Sequence, residues 1–72
     1  MRAVFGTTVR TLRRSRGWSQ EELADATGLD RTYISGIERG VRNPSLLTQK
    51  RIADALGVSL ATLASTEHER GV

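Results

Sequence analysis

The chain has no cysteine. That excludes a disulfide framework, thiolate chemistry and any cysteine-based zinc site. Its one histidine, His68, stands in a polar C-terminal run. Proline, phenylalanine, tyrosine and tryptophan each occur once. No apolar run approaches the roughly 18 residues needed to span a membrane. The opening MRAVFGTTVRTLRR lacks the long apolar segment of a signal peptide. A cytoplasmic protein without membrane contact is expected. No HExxH, GxSxG or phosphate loop is present, and nothing fixes His68 near a nucleophile. The sequence therefore argues against an enzyme, and no metal, cofactor or small-molecule ligand is expected.

What is present fits one small domain. A chain of 72 residues buries only roughly 60% of its unfolded surface, so pairing with a second copy would add needed apolar burial. The formal charge is +3, from 11 basic and 8 acidic residues. The sign suits a polyanion, although the magnitude is modest. Ten of the eleven basic residues are arginine. A GC-rich genome would produce the same bias, but arginine is also the better residue for bidentate contacts to guanine or phosphate. Arg13, Arg14 and Arg16 crowd one segment, and Arg31, Arg39 and Arg42 form a second group.

Periodicity predicts five helices and no strands, an all-α fold. Over residues 3 to 16, Phe5, Val9 and Leu12 share one helical face. Arg10, Arg13, Arg14 and Arg16 follow, toward the negative end of the helix dipole, and Gly17 is its cap. Ser19 and Glu22 form an S-x-x-E capping box that opens helix 2. Trp18 can staple onto the inward face of Leu23 and Ala24. Gly28 makes the turn, Asp30 caps helix 3, and Gly40 stops it. Asn43 and Pro44 are read as the start of a fourth helix, Pro44 being suited to a first turn. Ser59 caps a short last helix carrying Leu60 and Leu63. The expected core is Phe5, Val9, Leu12, Leu23, Ala24, Leu29, Ile34, Ile37, Leu47, Ile52, Leu56 and Val58. Residues 1–65 form the domain, and 66–72 a polar tail.

Residues Ser19 to Gly40 thus read as two short helices joined by a glycine turn. Such a pair can lay one helix across a DNA backbone and place the other in a major groove. The second helix opens with Arg31, Thr32 and Tyr33. Ile34 and Ile37 point inward, which leaves Tyr33 on an exposed or half-exposed side.

The run WSQEELADATGLDRTYISGIERGVRNPSL, followed by IADALGVSL, resembles the lambda-repressor/Cro-like (XRE-type) helix-turn-helix family. The likeness covers about residues 5 to 63. It rests on Gln20, Ala24, Gly28, Leu29, Ile34 and the Glu38-Arg39-Gly40 close. Within the family, LDRTYISGIERGVRN looks most like the controller proteins of restriction-modification systems. The resemblance implies a sequence-specific, dimeric DNA-binding regulator. It assigns base reading to Arg31, Thr32 and Tyr33, and backbone contacts to Gln20, Ser35, Arg39, Arg42 and Asn43. An arginine at position 31 can donate twice to guanine O6 and N7, for about 1–3 kcal/mol of discrimination. The resemblance also pairs Glu38 with Arg13, as an ion pair that fixes the recognition helix. Glu21 and Asp25, on the outer side of helix 2, match positions that touch RNA polymerase in activating relatives; an ordinary solvated face is the alternative.

A dimer seam is expected along the end of helix 4 and helix 5, at Leu56, Val58, Leu60 and Leu63, with Leu46 or Ala61 at the margin. Two-fold symmetry would then make the operator, on double-stranded DNA, a near-palindrome. The rival reading is an antitoxin-type or bridging protein-interaction module on the same fold. A polar, hydrogen-bonding opening of helix 3 favours readout over bridging.

Overall fold

The computed structural model describes residues 2–63, and the side chains from residue 4 onward. Four helices run in order: α1 Arg2–Ser15, α2 Gln20–Thr27, α3 Arg31–Glu38 and α4 Leu46–Leu56. A fifth, α5, starts at 60 and is described to 63. No strand occurs among the described residues. The expected tail 66–72, the domain boundary at 65 and His68 all lie outside them.

Local chemistry sets the element ends. Ser19 accepts from the Glu22 amide, and Glu22 accepts from the Ser19 amide at 2.7 Å, which closes the capping box at the start of α2. Gly28 ends α2 at φ 74°, a left-handed conformation that glycine reaches without Cβ strain. Two residues later, Asp30 accepts from the Thr32 amide and opens α3. The turn between α2 and α3 is therefore held by one glycine and one carboxylate. Ser59 accepts from the Thr62 amide at 2.9 Å and opens α5.

Val9, Leu23, Ala24, Ile34, Ile37, Ile52, Ala53, Leu56 and Leu63 form one buried cluster. Phe5, Leu12, Trp18, Leu29, Tyr33 and Val58 pack half-buried against it. Helix α3 rests on α1 and α2, and α4 closes the other side of both. This wedge grips α3 by its Ile34–Ile37 face and turns the opposite face to solvent.

Two expectations about α4 are corrected. Its N-cap is Ser45, whose hydroxyl accepts from the Thr48 amide; the helix does not start at Asn43 or Pro44. Pro44 is instead buried outside the helix, and its carbonyl accepts from Gln49 Nε2. Leu47, expected in the core, is 68% exposed. The half-buried positions of the first turns are held by Thr48 and Gln49.

A third correction concerns the C-terminal seam. Leu56 is fully buried and Leu63 nearly so within the protomer, so neither is free to face a partner. Val58 and Leu60 are half-buried and Ala61 is exposed. Leu46 is exposed at the start of α4.

Candidate nucleic-acid interface

The solvent face of α3 carries exposed Arg31 and Thr32 and half-exposed Ser35, and exposed Arg39 follows as its C-cap. These positions fall on one arc because residues four apart on a helix are neighbours. Ile34, Ile37 and Glu38 occupy the opposite arc. No other described side chain pairs with Arg31 or Arg39. Because Asp30 already caps α3, the helix end is not itself an anion site.

Tyr33 and Arg42, which the sequence left separate, meet. The Arg42 guanidinium lies 5.8 Å from the Tyr33 ring centroid, within cation–π range. The loop that carries Arg42 folds back onto α3, because Val41 and Arg42 both donate their amides to the Gly36 carbonyl, at 3.0 and 3.2 Å. Arg42 then crosses directly over Gly36, where a Cβ would stand 2.5 Å from Arg42 Cγ. Glycine in the middle of α3 thus lets the loop arginine lie along the helix. Asn43 is exposed at the end of that loop.

Beneath this surface sits a charged node. Arg13 donates to Glu38 through Nε at 2.7 Å and through a terminal nitrogen at 3.0 Å, a bidentate pair. The Glu38 side chain has no exposed surface, and that of Arg13 is 8% exposed. Gln20 Nε2 donates to the same carboxylate at 3.1 Å. Arg10 Nε stands 3.6 Å from it. Arg13 also donates to the Trp18 carbonyl at 2.6 Å. Helices α1, α2 and α3 are thereby tied at one point. Burial pushes the Glu38 carboxyl up; donation from Arg13 and Gln20 and the charges of Arg13 and Arg10 outweigh it, so it sits below the usual carboxylate range. The hydrogen bond to Glu38 raises Arg13 above its ordinary value, against the lowering effect of burial.

The expected Arg13–Glu38 pair is therefore present, and two further partners, Arg10 and Gln20, were missed. Gln20, assigned to the DNA backbone, turns its amide inward to Glu38. Its second N–H is not used in that bond, so the two roles are compatible. The first turn of α2 also carries Glu21 and Glu22, which offset the positive end of the helix dipole. Glu21 and Asp25 are exposed on the outer side of α2.

The arginines of the first group part company. Arg14 is exposed. Arg16 donates to the Leu56 carbonyl at the end of α4, and its guanidinium lies 5.9 Å from the Trp18 ring. Cations are favourable at a helix C-terminus, so Arg16 fastens α4 to the α1–α2 corner. Arg31, Arg39 and Arg42, the second group, are all exposed, on α3, at its C-cap and in the following loop.

The geometry is that of a helix-turn-helix with its second helix offered to solvent. Residues 9–63 match the family described as Helix-turn-helix. The control protein C.BamHI of Bacillus amyloliquefaciens is 52% identical over 59 residues, covering 81% of this chain and 73% of that protein. A hypothetical transcription factor of Neisseria meningitidis is 46% identical over 97% of this chain, which spans 66% of that protein's length. The crystal structure of the restriction-modification controller protein C.AhdI from Aeromonas hydrophila superposes with a TM-score of 0.84. It has 45% identity and covers 86% of this chain and 94% of that one. The chain belongs to the helix-turn-helix family, in its lambda-repressor/Cro-like, XRE-type branch.

Proposed function

We propose that this chain is a sequence-specific transcriptional regulator that binds double-stranded DNA as a homodimer, and that it serves as a restriction-modification controller. The observation that carries the reading is the solvent face of α3. It presents unpaired arginines and hydroxyls on a helix pinned from behind by a buried ion pair. The controller assignment is supported by likeness to C.BamHI and C.AhdI over most of the chain.

In this reading Arg31, Thr32 and Tyr33 meet base edges, while Gln20, Ser35, Arg39, Arg42 and Asn43 hold the backbone. Phosphate contacts set register and base contacts set sequence. Tyr33 has a second task, as the shelf on which Arg42 rests. Two protomers would place their recognition helices about 34–36 Å apart, one turn of DNA, over a near-palindrome. Glu21 and Asp25, exposed on α2, are available to RNA polymerase. A Glu21→Lys protein that still binds its operator but no longer activates transcription in vitro supports that contact, and unchanged activation contradicts it.

The assignment of α3 is tested by comparing two variants. Arg31→Ala should relax preference at one symmetric pair of operator positions, at a cost of about 1–3 kcal/mol on the preferred base. Arg42→Ala should weaken operator and random duplex alike and flatten the salt dependence. Equal losses on both DNAs for Arg31→Ala would overturn its role.

A further inference from the structure

We propose that Arg10 supplies a DNA-phosphate contact from α1, next to Gln20 at the start of α2. This rests on the DNA-binding reading above and adds a helix to it.

Three observations place Arg10 there. First, Glu38 does not need it. Arg13 takes both carboxylate oxygens at 2.7 and 3.0 Å, and Gln20 donates at 3.1 Å. Arg10 approaches no nearer than 3.6 Å, through Nε, beyond ordinary hydrogen-bond length. Its terminal nitrogens make no hydrogen bond with a described side chain, and its side chain is 41% exposed. Second, the node holds two guanidinium charges, Arg10 and Arg13, against one carboxylate. Arg13 is buried, so the surplus positive charge lies at the surface, on Arg10. Third, Arg10 Nε and Gln20 Nε2 approach the same atom, Glu38 Oε1. The α1 cation and the α2 amide therefore stand side by side, where both can donate to one phosphate or to neighbouring phosphates of one strand.

The approach of the helices explains the placement. Gly6 lies one turn before Arg10, and a Cβ there would stand 2.2 Å from the Ile37 carbonyl oxygen and 2.8 Å from that of Glu38. With no side chain at position 6, α1 presses against the end of α3. Arg10 is thereby carried to the edge of the recognition surface. A cation held loosely by a carboxylate that is already satisfied costs little to turn outward.

The salt dependence of binding to a short mixed-sequence duplex, followed by fluorescence anisotropy, tests the proposal. Arg10→Gln should make the slope of log K against log salt shallower by about 0.9 per protomer, with the melting temperature near that of the unaltered protein. Arg10→Lys should restore the slope, because a lysine neutralises a phosphate equally well. A lowered melting temperature with an unchanged slope for Arg10→Gln would show a purely structural role and overturn the proposal. Arg39→Ala distinguishes this failure from failure of the parent reading. If Arg39→Ala flattens the slope and Arg10→Gln does not, Arg10 alone is misassigned. If the unaltered protein shows no salt-dependent binding to duplex DNA, both readings fall.

Discussion

Glu38 is a carboxylate with no exposed side-chain surface, so its partners decide whether α3 stays in place. A buried charge left unpaired typically costs about 3–5 kcal/mol, whereas removing both partners of such a pair can be nearly neutral. Arg13→Ala and Glu38→Ala should each be strongly destabilising, and the double variant should lose much less than their sum. Additivity within about 0.5 kcal/mol in thermal melts would contradict the pairing. The pH dependence has a definite sign. Because the folded-state pKa of Glu38 is depressed, its contribution is present above the ordinary glutamate value of about 4.3 and is lost as pH falls through the lower folded value. The melting temperature of the unaltered protein should therefore fall more steeply in acid than that of Glu38→Gln; parallel curves would contradict the account. Resemblance made the Arg13–Glu38 pair legible. Gln20 and Arg10 were not found, because they lie 18 and 28 positions from Glu38 and no local spacing signals a tertiary partner. The Tyr33–Arg42 stack was hidden for the same reason.

Helices α1, α2 and α3 carry their boundaries in short-range chemistry, and there the sequence was sufficient. Ser19, Gly28 and Asp30 act within four residues of themselves. Helix α4 opens at Ser45 and not at Pro44, because serine is the stronger N-cap type. Leu47 failed on period. It lies five residues before Ile52, and at about 3.6 residues per turn that is more than a third of a turn off the inner face. Leu47→Gln should accordingly leave stability within about 0.5 kcal/mol, as for an ordinary surface position; a larger loss in thermal melts would contradict its exposure. Gly6→Ala should behave oppositely. Its new Cβ meets backbone that cannot rotate away, so α1 must move off α3. Overpacking of this kind costs about 1–3 kcal/mol, and here it should also weaken DNA binding. Retention of both properties would refute the close approach of α1 to α3.

For the molecule as a whole, the fold class and the solvent-facing position of α3 were legible, because periodicity and capping act along the chain. The assembly surface was less so. Leucines at helical spacing could cover the protomer's own core or a partner, and the core claims Leu56 and Leu63. Half-buried Val58 and Leu60 remain for the proposed seam between protomers. Leu60→Glu should shift the protein to monomer in sedimentation while helix content is retained, and operator affinity should fall with it. A dimer of unaltered strength would place the seam elsewhere. The central claim is that two copies of α3 read DNA in adjacent major grooves. Selection of binding sites from random duplex DNA by the purified protein tests it most directly. The account predicts enrichment of a near-palindrome whose half-sites lie about 34–36 Å apart. Recovery of no consensus, or of a single unrepeated half-site, would contradict it.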